Sequence, residues 1–281
     1  MKKFLCLILA LSMFAVLFAG CAKDEVVATD ETAADEVVEE VADEAAASDL
    51  AYVTEKGTLV VGITDFAPMD YQDETGAWIG FDADMAKAFA DSLGVAVEFQ
   101  VIDWDNKVLE LDSKNIDVVW NGMTLTDEVK SAMECSNAYC NNAQVVIVPA
   151  EVADQYADVE SVKALNFAVE SGSAGQAQVE ALGAAYTEVL DQATALLEVS
   201  TGTADAAVID SLMAAAMVGE GTSYEGLTYT VALNSEEYGV GFRKGSDLAA
   251  ALNDFFATAY ADGRMEACAE TYGVQAALIA Q

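Results

Sequence analysis

Asp210 ends the apolar run Ala206-Ala207-Val208-Ile209 and stands directly before a helical stretch. A carboxylate there can take a cation such as an ammonium in a charge-assisted hydrogen bond. It can equally cap the helix, because Asp is a favoured N-cap. Asn121, Gly122 and Thr124 follow a second apolar run that ends at Trp120, and their types suit a strand-to-helix turn. Thr126 reads as the N-cap of the next helix, with Asp127 and Glu128 in its first turn. Ser171-Gly172-Ser173-Ala174 precedes another helix. Free N–H groups at a helix start suit an anionic group, and capping by Ser173 accounts for the same residues.

What the chain lacks narrows the chemistry further. It has no His in 281 residues. Ser-His-Asp and Cys-His nucleophiles are therefore excluded, as are zinc sets that need imidazole. Any catalysis falls to carboxylates, Lys, Tyr, Ser or Cys. Asp and Glu number 48 against 12 Lys and Arg, a formal charge of -36. Such a surface repels phosphate, which argues against nucleic acid and against docking on anionic lipid.

The N-terminus reads as a targeting segment. Lys2 and Lys3 precede Phe4–Phe18, which is apolar apart from Ser12. The run matches a signal-peptide core and falls short of the ~20 residues that span a bilayer. It ends in Leu17-Phe18-Ala19-Gly20-Cys21, which resembles the bacterial lipobox. Small residues and a Cys together at that point favour lipidation of Cys21 over an ordinary secretory cleavage site. The expectation is a signal over residues 1–20 and an anchor on the outer face of the membrane. Residues 21–50 are mostly Ala, Val and acid, with Lys23 the one base. Like charges and little to bury predict a solvated tether.

After the tether, apolar runs alternate with helical periodicity. Strands are expected at 58–63, 95–102, 116–120, 145–148, 167–169, 206–209 and 238–242. Helices are expected at 82–93, 104–111, 175–182, 193–199, 211–218, 248–261 and 265–272. This order predicts an α/β fold with largely parallel sheets. Ligands of such folds bind in a crevice at the carboxyl ends of strands.

Five segments, in order, resemble the family 3 extracytoplasmic solute-binding proteins, the polar amino-acid receptors of ABC importers. They begin at LVVGITDFAPMDYQ, NIDVVWNGMTLTDE, FAVESGSAGQAQV, DAAVIDSLMAA and EEYGVGFRKGSDL. The resemblance implies a two-lobed periplasmic-binding-protein-like fold of type II with a hinge between the lobes. Lobe 1 would comprise residues 51–141 and 235–281, and lobe 2 residues 142–234. It further implies closure on a solute in the cleft, an ABC permease as partner, no cofactor and no catalysis. Carried over residue by residue, Asp210 would bind the ligand's ammonium. Gly122, beside Asn121, would add a backbone carbonyl, and Thr124 a hydroxyl for the carboxylate. Backbone N–H groups near Ser173 and Ala174 would also serve the carboxylate. Phe66 and Trp104 match positions that stack on the ligand, whereas Trp120 reads as core.

One departure is plain. The family's Thr-x-Thr-x-x-Arg supplies a guanidinium for the ligand carboxylate, and here TLTDEVK puts Val129 at that position. Lys130 lies one helical step away, about 100° round the axis, and Arg243 and Arg264 lie in segments that do not match the role. The ligand is therefore expected to carry positive charge. Cys135 and Cys140 could pair, with Cys268 left over. Two alternatives stand beside the transport receptor. One is an enzyme on the same scaffold, such as a cyclohexadienyl dehydratase using Asp65, Asp70 or Glu237. The other is a sensory binding protein.

Overall fold

The computed structural model describes residues 48–281. The expected signal segment, Cys21 and nearly all of the expected tether lie outside the described residues. The chain enters through α1 (Asp49–Lys56), then builds β1 (Thr58–Ile63), a hairpin of β2 (Tyr71–Gln72) and β3 (Trp78–Ile79), α2 (Phe81–Leu93) and β4 (Ala96–Val101). A 3-10 turn leads into α3 (Lys107–Asp112), followed by β5 (Val118–Thr124), α4 (Asp127–Ala132), β6 (Glu134–Cys135) and β7 (Cys140–Asn142). The second half holds β8 (Gln144–Pro149), α5 (Val159–Val162), β9 (Asn166–Glu170), α6 (Ala174–Leu182), β10 (Ala185–Val189), α7 (Gln192–Ser200), β11 (Ala206–Asp210), α8 (Ser211–Met217) and β12 (Leu227–Ala232). The chain returns through β13 (Glu236–Phe242) to α9 (Leu248–Ala261) and α10 (Arg264–Tyr272).

Each half has its own sheet. One runs β4-β1-β5-β13-β6, with β7 also on β13, and the other runs β10-β9-β11-β8-β12. Val145-Val146-Ile147-Val148 explains why the second sheet forms. Val145 and Ile147 join one apolar cluster and Val146 and Val148 another. A strand buried on both faces reads as a continuous apolar run. In the first sheet, α2 buries Met85 and Phe89, four residues apart, in the core, and Phe89 packs against Trp120 and Phe255. Trp120, Phe256 and Tyr139 complete this core, with ring centroids 5.5 and 5.7 Å from Phe256. Trp120 is 1% exposed and is core, as its setting suggested.

The expectation of largely parallel sheets needs correction. β4-β1-β5 and β10-β9-β11 are parallel, but β8, β12 and β13 pair antiparallel. The cause lies in the connections. Only Ala143 separates β7 from β8, so the chain crosses between sheets without the helix that a parallel neighbour requires. The outgoing β7-β8 and the returning β12-β13 run side by side in opposite directions. They form a ribbon that spans both lobes.

Two other expectations shift. α1 begins at Asp49, inside the stretch read as tether, with the Ser48 side chain accepting from Ala51 N–H at 2.9 Å. Its docking depends on Arg243, far away in sequence, which a local reading does not see. Cys135, Cys140 and Cys268 are free thiols. On β13, Cys135 lies opposite Gly241 and Cys140 opposite Tyr238. Three residues of strand separate them by about 10 Å, beyond the ~7 Å that a disulfide bridges.

Candidate functional site

A cavity of about 340 Å³ opens between the two sheets, where β5, β9 and β11 present their carboxyl ends. Phe66, Trp104, Asn121, Gly122, Thr124, Ser173, Ala174 and Asp210 all line it. The first five come from lobe 1 elements and the last three from lobe 2. Asp65, Asp70 and Glu237, the carboxylates considered for catalysis, do not line it. Asp70 is fully buried behind Asn121, and Glu237 borders a neighbouring hollow.

Asp210 does not cap α8 with its side chain. Its carboxylate turns instead into a set of donors. Oδ1 accepts from Asn142, from Gln144 at 3.0 Å and from the Tyr238 hydroxyl at 2.6 Å, and Oδ2 accepts from Gln192. Glu236 shares two of those donors, Asn142 and Gln144, each at 2.7 Å, and accepts from Asn234 at 2.7 Å. The ribbon between the lobes thus carries two carboxylates bridged by amides. Burial, with Glu236 adding to it, raises Asp210 to about 7, while Tyr238, Gln192 and Gln144 pull it back.

The β5 end is more structural than its residue types suggested. Asn121 spends all of its capacity inside the lobe. Its oxygen accepts from Thr64 N–H and hydroxyl at 3.0 and 2.8 Å, and its amide donates to the Thr64 carbonyl and to Asp70. Its side chain ties β1 to β5 and is not available to a ligand. Gly122 has φ 55°, and a Cβ there would overlap the Phe66 ring, so only Gly lets that ring lie over the strand. Gly122 N–H donates to Asp82 at 2.7 Å, and Tyr139 donates to the same oxygen at 2.7 Å. Burial raises Asp82 to about 7. Between Val119 and Met123 the ladder with β13 is interrupted, which sets this backbone apart from regular pairing. The Thr124 hydroxyl, expected to meet a carboxylate, donates to Glu236 at 2.9 Å.

At α6, Ser173 is the N-cap, accepting from Gln176 N–H at 3.1 Å. The preceding loop touches the opposite lobe. Lys107 donates to the Gly172 carbonyl at 3.0 Å and to the Trp104 carbonyl at 3.1 Å, with its ammonium 5.0 Å from the Trp104 ring centroid. Gly172 has φ 71°, and a Cβ there would come within 2.7 Å of Asp105 Cα. The lobes therefore meet backbone to backbone over the cavity, and any side chain at 172 would hold them apart.

The wall beside α4 is apolar: Met123, Val129, Ala132 and Met133. Val129 stands there where a guanidinium was sought, and Lys130 is exposed and outside the lining. Opposite charges are unbalanced. Among the described residues, Asp105, Glu128, Glu170, Glu180 and Asp210 line the cavity against Lys107 alone, five carboxyls to one amine. Burial lowers Lys107, and Glu170, Asp105 and Glu128 oppose that shift.

The sequence from residue 59 to residue 275 matches the model of the bacterial extracellular solute-binding proteins, family 3. The chain belongs to that family. Among curated relatives, the L-cystine-binding protein TcyJ of Escherichia coli is 30% identical over 78% of this chain and 84% of its own. The arginine-binding extracellular protein ArtP of Bacillus subtilis is 27% identical over 75% of this chain and 84% of its own. Among solved structures, a substrate-binding protein of an ABC uptake transporter from Streptococcus pneumoniae with bound histidine superposes with a TM-score of 0.73. It is 27% identical and covers 82% of this chain and 98% of that one.

Four cavity-lining residues escaped the sequence reading, Lys107, Gln144, Glu170 and Gln192, and so did Glu236 and Tyr238, which share donors with Asp210 or donate to it. One signal was present. Glu170 ends the apolar strand Asn166–Glu170, as Asp210 ends its own. An acid closing a buried strand is unusual enough to mark a site. The amides and Tyr238 carried no such signal.

Proposed function

We propose that the chain is the capture subunit of an ABC-type importer, a lipoprotein that closes its two lobes on a cation-bearing amino acid and delivers it to a membrane permease. The observation that carries this reading is the excess of carboxyls over amines around one inter-lobe cavity. A cation gains there from Asp210 and from the long-range field of a chain with formal charge -36. The relatives named for arginine and histidine bind solutes of that class. An α-carboxylate would meet the start of α6 rather than Val129 or Thr124. We read the chain as a receptor without catalysis. A cleft with five lining carboxyls repels the polyanionic substrate of a dehydratase.

Calorimetry of the purified protein tests the ligand class. The panel is L-arginine, L-lysine, L-histidine, L-cystine, L-glutamine, L-glutamate and 1,5-diaminopentane. The cationic solutes bind tightest and glutamate weakest. Glutamate binding above arginine and lysine would overturn the reading.

The anchor has its own test. Cys21→Ala abolishes labelling by a radiolabelled fatty acid and moves the protein from the membrane to the soluble fraction. Labelling and retention unchanged from wild type would refute lipidation at this residue.

A further inference from the structure

Glu170 is buried, 3% exposed, and its Oε1 finds no hydrogen-bond partner among the described residues. A buried carboxyl oxygen left without a donor is costly unless something supplies one. The side chain lines the inter-lobe cavity. β9 and β11 are adjacent and parallel, and Glu170 and Asp210 are their last residues. Neighbouring strands lie about 4.8 Å apart, which brings both carboxyls to one edge of the cleft. Asp210 Oδ1 already accepts three donors, whereas Oδ2 accepts only Gln192. A carboxylate oxygen accepts about two, so Oδ2 keeps acceptor capacity, and Asp210 is near enough to Glu170 for their charges to repel.

Among the described residues, little countercharge faces this pair. Lys107 is the one base lining the cavity, and it directs two of its N–H groups to the Trp104 and Gly172 carbonyls. The charged and titratable groups that face Glu170 are Asp210, Asp191 and Lys107, with the Gln192 amide beside them. Those that face Asp210 are Glu236 and Tyr238, with Gln144 and Gln192. Acids predominate on every side.

We propose that Glu170 acts with Asp210 as a two-carboxyl acceptor for the side-chain cation of the captured solute, a guanidinium or terminal ammonium with N–H donors enough for both, rather than for its α-ammonium. The proposal rests on the amino-acid-receptor reading and specifies it. At neutral pH the pair retains a proton, because burial and mutual repulsion raise Glu170 to about 8 and burial and Glu236 raise Asp210 to about 7. When the cation enters, the carboxyl O–H bond breaks and the proton passes to solvent. N–H···O bonds from the solute take its place. Capture is thereby linked to proton release, and affinity for cations rises with pH across the range where the pair ionises.

The test is calorimetry of wild type and Glu170→Gln with L-arginine and with its neutral isostere L-citrulline, in two buffers of different ionisation enthalpy near pH 7.5. Wild type releases a sizeable fraction of a proton on binding arginine. Glu170→Gln binds arginine roughly ten- to a hundredfold more weakly, the range for a lost charged hydrogen bond. It releases less proton and discriminates less between arginine and citrulline. Wild type alone gives a second readout, free of any folding defect in the variant: arginine affinity increases from about pH 6 to about 8.5 while citrulline affinity stays flat. Arginine affinity within twofold of wild type in Glu170→Gln, with equal proton release, would overturn the role of Glu170 and leave the receptor reading standing. Failure of wild type to bind arginine, lysine or 1,5-diaminopentane would overturn both.

Discussion

Asp210→Asn weakens binding of arginine or lysine by roughly ten- to a hundredfold, or about 1.5–3 kcal/mol for a hydrogen bond to a charged group. The geometry gives the reason. The native carboxylate accepts from Asn142, Gln144, Tyr238 and Gln192, lines the cavity and has acceptor capacity left on Oδ2. Asparagine offers one acceptor oxygen in place of two, and its amide would face another amide donor. The variant therefore loses the charge that attracts the cation and part of the lattice that aims it. The same substitution alters the pH dependence of folding. Asp82 and Asp210 lie at about 7 and Glu170 at about 8 in the folded protein, all above the ordinary carboxylate range. Between about pH 4 and 8 the native state thus binds more protons than the unfolded chain, and stability falls as pH rises. Thermal melts of the protein without added solute show a lower transition temperature at pH 8 than at pH 5, and a shallower slope in Asp210→Asn. Equal arginine affinity in variant and wild type would show that Asp210 does not hold the solute.

Arg243→Met costs about 3–5 kcal/mol of stability, the range for breaking a buried ion pair by removing one partner. For a folded region of this size that lowers the transition temperature by roughly 6–20 °C. Arg243 is 9% exposed. Its Nε donates to Asp49 at 3.0 and 3.1 Å, and Nη1 donates to the carbonyls of Leu111 and Ile116 at 3.2 and 2.8 Å. Asp117, fully buried, lies 3.6 Å from Nη2 and also accepts from Lys56 at 2.6 Å. One guanidinium therefore joins α1, the end of α3 and the start of β5 to β13. Methionine matches much of the volume and supplies no donor. Arg243→Lys recovers only part of the loss, since an ammonium cannot reach these partners in the fork geometry of arginine. Thermal unfolding measures the shift, and calorimetry below the transition shows solute affinity close to wild type, because Arg243 does not line the cavity. A shift of a degree or two would mean that α1 docks by other contacts.

The elements were legible where pattern and burial agree. Met85 and Phe89 recur at helical spacing, and Val145–Val148 is apolar throughout. β10 and β12 were missed. β10 is an edge strand, Ala185–Val189, whose first four residues are exposed and carry no apolar run. β12 alternates buried and exposed residues, and its pairing with β8 is long-range. The candidate site was legible where a strand end meets a loop of small polar residues, as at Asp210, Gly122 and Ser173. Where a residue's type suits two uses, the sequence left the choice between them open. Asn121 and Thr124 are good ligand donors by type, yet Thr64, Asp70 and Glu236 engage them first.

By itself the sequence determined the family, most of the longer strands and helices, and the presence of Val129 where the family's arginine was sought. These are local or compositional properties, and each is readable from neighbouring residues. Only the tertiary structure decided what surrounds the solute. Gln192 and Asp210 are 18 positions apart, Asn142 and Glu236 94 apart, and Lys107 and Gly172 65 apart. Nothing in the chain between them signals that they meet. A carboxyl's partners, and so its affinity for protons or for a cation, are set by distance and burial in space. Asp210 and Glu170 were both plain acids at strand ends. The fold gave one of them four donors and left the other, in the wall of the same cavity, with a buried oxygen that has no partner.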